Sequence, residues 1–512
     1  MELNQLALAD FLHQFSARFF INQLLTIIVL FLFGLFLIMC IRKDCKDIWT
    51  LLLAYPLGLA VYVLTCFLLL LCGIPLRTES ILLTLLCVSA ALFIWKKPVP
   101  SVKQELLYFK QSCTEHAWKR WTFGIAALCV LGLAALAVSG ILSVSLSNDS
   151  MYYYSLYSRA LVKYGAYRRE FNVFLTDVGQ GTALIGTLPF FFGFNETFGI
   201  QQFFHINFLC IFTYAVYEQA AKAGMQKKQA VLTAGLSLLV MQSSMPFIIV
   251  SKWVMANVYF MEYLFISCYL AFRFENEKER ILLIQGALMA VLSLLRMEGT
   301  VFVLFAVLCI SVLHYKNREL ACCFLLPSVI LQIFYDIRIF LTMEISAPYT
   351  FLTEKKALVQ LAGMAAVLCY LLFIRGRYFK KLQAHMNYLV IAGLLLINLG
   401  LCALDYHIYF GNLQAFGANL FNQSGWGLFP GLVIAMLILL PKKGYSLSFT
   451  ELLWIGYLLI TLAVCWARDG VLREGVGDSG NRVLLQIVPL VVYAFTIRVI
   501  QWLVPLQSKR EQ

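Results

Sequence analysis

The segment Asn148-Asp149-Ser150-Met151-Tyr152-Tyr153-Tyr154 sets a carboxylate directly after a long apolar run and then opens a tyrosine-rich helix that ends near Gly165. A carboxylate fixed at a membrane surface can take a proton from an incoming hydroxyl. The tyrosines suit an interface, with Tyr153 placed to hold a polar substrate or to anchor the helix in lipid. Downstream stand Asp177-Val178-Gly179-Gln180-Gly181, Arg296-Met297-Glu298-Gly299, Tyr335-Asp336-Ile337-Arg338 with Pro348-Tyr349 behind it, and Asp478-Ser479-Gly480-Asn481-Arg482 ahead of Pro489. Guanidinium forks match phosphate oxygens and stay charged at any working pH. A proton acceptor and guanidiniums spaced along one chain suggest a single site. Asp149 and Asp177 are the catalytic candidates, and Arg296, Glu298, Arg338, Arg482, Asp478 and Tyr153 the substrate-binding ones.

Each feature also has a structural reading. Asp149 suits the cap of the helix it precedes, and Asp177 suits a loop. Arg296 and Glu298 suit a local ion pair closing a turn, and Arg338 can pair with Asp336 or extend toward the interface. Glu262 lies within an apolar run, where a carboxylate needs a structural partner, and His205 reads as an interface histidine.

These residues need elements to position them, and the composition decides which. The 512-residue chain is 61% hydrophobic and 13% charged, with a mean hydropathy of +0.81, which excludes a soluble globule. A crossing helix needs ~20 residues, and apolar runs recurring from end to end give about fifteen crossings, among them 20–41, 49–72, 230–250, 448–466 and a last one over 481–503. A lipid-exposed backbone must satisfy its own hydrogen bonds, so the expected class is an all-α polytopic transmembrane bundle. Fifteen cysteines sit mostly in apolar runs without a paired CxxC or a His/Cys cluster of zinc spacing, which speaks against a disulfide framework or a structural metal. The net charge of +13 is scattered over short loops rather than gathered on one face, against nucleic-acid binding.

Most of the basic residues fall in loops of one parity, which the positive-inside rule assigns to the cytoplasm. The N-terminus is then external, and loops 147–198, 296–299, 345–356, 405–426 and 468–482 share the external face. The expected organisation is an N-terminal bundle with a basic linker over 1–120, a catalytic membrane domain over 121–503 and a cytoplasmic tail over 504–512.

In order and placement these motifs resemble the GT-C superfamily of polytopic glycosyltransferases over roughly residues 121–503. Asp149 occupies the place of the acidic residue that opens that family's first external loop, and 151–165 that of its interface helices. Arg296-Met297-Glu298-Gly299 is similar to a recurrent turn between two hydrophobic helices, and Arg338 with Pro348-Tyr349 to an arginine ahead of a Pro-Tyr-like loop. Arg482 and Pro489 are similar to a basic residue before a proline-containing last helix. Asp149 is followed by Ser150 where many members carry a second acid, and the WWDYG-type motif and a large soluble C-terminal domain are missing.

The resemblance implies a multi-pass cell-membrane enzyme with an extracytoplasmic site. Its donor would be a polyprenyl-phosphate-linked sugar, its acceptor a cell-envelope glycan, lipid or protein, and its stereochemical course inverting. No cofactor is required by the sequence, although some relatives bind divalent cations and Asp149 with Asp177 could then contribute. A transporter or flippase of lipid-linked sugars and a polysaccharide polymerase or ligase are the alternatives. The first calls for polar residues near the bilayer midplane, the second for a large late external loop.

Overall fold

The computed structural model describes residues 17–42, 47–96, 154–168, 179–191, 200–251, 253–274, 281–313, 316–342, 353–374, 376–421, 425–439, 449–467 and 479–508; among them every regular element is a helix. The chain is a multi-pass helical membrane protein. Six described helices are long and apolar enough to cross a bilayer, or up to seven if one bent pair counts as a span. Two compact units divide it, one built from 1–207, 252–256 and 337–347, the other from 208–251, 257–336 and 348–512.

The first unit holds α1 (Ala17–Ile41), α2 (Ile48–Leu71), α3 (Thr78–Lys96), α4 (Leu156–Tyr164), α5 (Gly181–Phe191) and the start of α6 (Ile200–Lys222). The α1–α2 hairpin is closed by the Arg42 fork on Asp47, at 2.8 and 3.0 Å, while Asp47 caps α2 through the Thr50 N–H at 3.2 Å. Gly34 and Gly58 let these helices cross at backbone contact: a Cβ on Gly34 would run into the Ala54 carbonyl, and one on Gly58 into that of Leu30. Helix α4 ends as its sequence requires. Gly165 takes φ +65°, in the left-handed region open to glycine, and its N–H returns to the Leu161 carbonyl at 2.8 Å.

The second unit contains α7 (Lys227–Gln242), α8 (Met245–Ser251), α9 (Ala256–Arg273), α10 (Ile281–Leu295), α11 (Gly299–Ile310), α12 (Leu326–Thr342, entered through a π-helical turn, Leu320–Leu325), α13 (Glu354–Phe373), α14 (Gly376–Leu404), α15 (Tyr406–Phe421), α16 (Phe429–Leu439), α17 (Phe449–Trp466), α18 (Ser479–Leu485) and α19 (Val488–Ser508). The first residue of α9, Ala256, and the end of α12 from Ile337 belong to the first unit.

Three expectations are corrected here. The span expected over 230–250 is broken, with α7 and α8 meeting at 81° around Ser243-Ser244, just before Pro246. The last span is likewise split at Gln486-Ile487, ahead of Pro489. The 405–426 stretch, expected as a loop, contains α15, whose glycines and amides dilute its hydropathy without breaking its helical period.

Side-chain ties sort the helix ends of the second unit into two groups. At one end Arg273 of α9 meets Glu218 of α6 at 2.7 Å, and Phe272 stacks on Phe449 of α17 with centroids 6.0 Å apart. At the other, the Lys356 Nζ donates to the Ala467 carbonyl at 2.9 Å, the Gln360 amide to that of Met297 at 3.2 Å, and the Trp466 indole to that of Asp405 at 3.3 Å. The grouping agrees with the alternation inferred from the loops: the expected external loops contribute to the second end.

Candidate functional site

An apolar run cannot carry a charge through its middle cheaply, so Arg296-Met297-Glu298-Gly299 ends α10 and starts α11. Gly299 makes the turn fit: a Cβ there would press on the Leu292 carbonyl and lie 2.9 Å from the Ser293 Cα. Arg296 and Glu298 are nevertheless buried, at 8% and 2% exposure. They are tolerated because they satisfy one another and their surroundings. The Arg296 Nε donates to the Glu298 carboxylate, and its Nη1 to the Asn257 Oδ1 at 2.9 Å.

Asn257 extends the network. Its Nδ2 donates to the backbone carbonyl of Arg482 at 2.9 Å, joining the start of α9 to α18. The next residue back, Asn481, is fully buried and accepts from the Trp426 indole at 2.5 Å. Gly425, beside that tryptophan, receives the Met245 N–H at 2.7 Å, which anchors the α7–α8 break. A parallel chain runs from the Thr300 hydroxyl to the Gln332 Oε1, and from the Gln332 amide to the Asp336 carboxylate, both at 2.9 Å. Arg296, Glu298 and Arg482, three of the residues singled out from sequence, thus belong to one polar layer at one end of the second unit.

Arg338 lies in the first unit, with Tyr167 and Gln180. The Tyr167 hydroxyl donates to the Gln180 Oε1. Tyr167 is half-buried as a residue, but loss of solvent around its hydroxyl pushes the pKa well above the ordinary phenol value, with the Arg338 cation acting in the opposite direction. Gln180 and Thr182, both buried at 1% exposure at the start of α5, leave the Gln180 Nε2 and the Thr182 Oγ1 without a hydrogen-bond partner among the described residues. Ser158 of α4 donates to the Ala183 carbonyl at 2.8 Å and so holds the helix that follows Tyr153 against α5.

No family model, curated protein or solved structure matches the chain.

Asp149, Tyr153, Asp177 and Asp478 lie outside the described residues. Among the described residues no group of three His, Cys, Asp or Glu side chains is placed to hold a metal ion. Glu262 and His205 are buried within α9 and α6, at 0% and 7% exposure. Sequence reasoning missed Asn257, Gln332, Gln360 and Trp426. The first three are single amides in apolar helices, and the only signal was the cost of burying an amide without a partner. Trp426 stands between two glycines, Gly425 at φ +67° and Gly427 at φ +59°, a spacing that marks a sharp turn around an anchored ring.

Proposed function

We propose that this protein is a membrane glycosyltransferase that moves a sugar from a polyprenyl-phosphate-linked donor to a cell-envelope acceptor at the external surface, with inversion. The observation that carries the reading is the buried layer in which Arg296, Glu298 and Asn257 fix the backbone of Arg482, because it builds cations into one end of a membrane bundle. Two of the Arg296 donors are committed to Glu298 and Asn257, so its part is to position Arg482. Arg482 is assigned the charge for phosphate.

In the reaction the acceptor hydroxyl attacks the anomeric carbon. Its proton passes to Asp149 as the new C–O bond forms, and the sugar–phosphate C–O bond breaks with its electron pair leaving on the phosphate oxygen. Arg482 balances the charge that grows there. Asp177, Asp478 and Tyr153 are assigned to orienting the two substrates.

The transporter reading has its own support in the 81° break between α7 and α8, since unwound helix junctions are where transporters bind their cargo. The test takes purified protein with a lipid-linked sugar. Asp149→Asn preserves shape and is expected to lower transfer roughly 10²-fold, the scale of losing a general base, with donor binding retained. Full transfer by Asp149→Asn excludes that base. Absence of transfer by the unaltered protein, with translocation of the lipid-linked sugar that fails in Arg482→Gln, replaces the enzyme by a transporter.

A further inference from the structure

Helix α15 has a surface that the proposed chemistry does not use. Its 16 residues include no Lys, Arg, Asp or Glu, and one face is open: Tyr406 is 57% exposed, Phe410 55%, Leu413 44% and Phe421 61%. These positions recur at helical spacing and form a single stripe. The opposite face is buried and carries Asn412, Ala415, Phe416 and Asn419, both asparagine amides turning back to carbonyls of their own helix, those of Ile408 and Ala415. A third strip, bearing the exposed His407 and Gln414 two turns apart, runs along one edge parallel to the axis.

Both ends of α15 are tied to the same end of the second unit. At its start the Asp405 carboxylate caps the Ile408 N–H at 3.1 Å, and the Asp405 carbonyl accepts from Trp466 at the end of α17. Just past its end, Gly425 holds the α7–α8 break and Trp426 holds Asn481. A crossing helix would deliver its two ends to opposite sides. At about 1.5 Å per residue α15 is ~24 Å long, and with both ends at one level that length runs along the surface. Spanning would also bury His407 and Gln414 at two depths of hydrocarbon, whereas an in-plane helix keeps both at the headgroups.

We infer that α15 lies in the plane of the bilayer, its Tyr406–Phe410–Leu413–Phe421 stripe seated among the acyl chains of one leaflet and its His407–Gln414 edge at the headgroups. The occupant is lipid because the stripe continues the lipid-facing surface of α14, where Leu396, Leu399 and Leu404 are 68%, 65% and 75% exposed. A protein partner would have to displace lipid from both helices. The inference rests on the membrane placement and not on the proposed reaction.

The experiment uses the full chain in phospholipid nanodiscs. A spin label is placed in turn at positions 406, 407, 410, 413, 414 and 421 of a cysteine-free variant, and its collisions with oxygen and with a water-soluble nickel chelate are compared. The expected result is one shallow, oxygen-favoured depth at 406, 410, 413 and 421, with nickel access at 407 and 414. A depth that peaks at 413 and 414 and falls toward both ends makes α15 a crossing helix and overturns the inference; nickel access at all six positions makes it a water-exposed helix and overturns it too. Benzoylphenylalanine at Phe410 or Gln414, in the chain with its native cysteines, guards against misfolding of the cysteine-free variant. Irradiation is expected to give phospholipid adducts at 410 and few at 414, and adducts to a second protein in place of lipid at 410 refute the stated occupant.

Discussion

Converting Glu298 to Gln removes one charge from the buried pair and leaves its volume nearly unchanged. Arg296 cannot shed its proton, so it would keep a full charge at 8% exposure with Asn257 as its neutral partner. Removing one member of a buried pair costs about 3–5 kcal/mol, and the retained amide oxygen sets this variant near the lower bound. Arg296→Met removes the cation beside the carboxylate instead and belongs in the same range. The double variant Arg296→Met with Glu298→Leu discards both charges and orphans the Asn257 Oδ1, an unsatisfied acceptor worth about 1–3 kcal/mol. It is therefore expected to be more stable than either single variant. Unfolding by SDS in mixed micelles measures all four proteins. A cost below about 1 kcal/mol for Glu298→Gln, the size of an exposed ion pair, would refute the buried network. A double variant less stable than both singles would refute the pairing of the two charges.

Gly299→Ala forces a methyl against the Leu292 carbonyl and the Ser293 Cα, and an overpacking cost of about 1–3 kcal/mol is expected in the same unfolding assay; no loss means the α10–α11 turn is looser than the structure has it. Gly165→Ala places a Cβ at φ +65°, at a cost of roughly 1–2 kcal/mol, and an unchanged midpoint would argue against the left-handed cap. For topology, cysteines placed singly at His407 and Gln226 of a cysteine-free variant are expected to react with an impermeant thiol reagent from outside at 407 only, and the reverse pattern would turn the site toward the cytoplasm.

What the sequence revealed were the features imposed by the solvent. Hydrocarbon demands helices, charges interrupt them, and a glycine after a tyrosine-rich run closes one. Those three rules found α4 and its Gly165 cap, the α10–α11 break and the bounds of α1, α2 and α17 within a few residues. They also singled out Arg296, Glu298 and Arg482, because an ionisable group at a membrane edge is costly and needs partners, and the structure ties all three into one polar layer. They missed α15 because a hydropathy average registers how apolar a segment is but not the direction its side chains face. Tyr406, Phe410, Leu413 and Phe421 are spread among glycines and amides that lower the mean while leaving the stripe intact. The α7–α8 break escaped for the converse reason: serines and a proline inside an apolar run barely alter its average, yet they free the backbone to bend.

The partners within the polar layer lay beyond sequence reasoning, since they depend on packing between distant segments. Asn257 is 39 residues from Arg296 and 225 from Arg482, separations that no local pattern relates. Once the helices are placed, the choice of an amide follows from chemistry. The position needs an acceptor toward a guanidinium and a donor toward a backbone carbonyl at the same time, and an asparagine side chain offers one of each at its tip. An aspartate would aim acceptor against acceptor at Arg482, and a leucine would remove the hydrogen bonds to the Arg296 Nη1 and the Arg482 carbonyl. Because the amide is neutral, it links the arginine to α18 without adding to the charge that Glu298 already balances. The layer thereby holds a cation in a membrane bundle while spending its hydrogen bonds on the geometry of the next residue in line, Arg482.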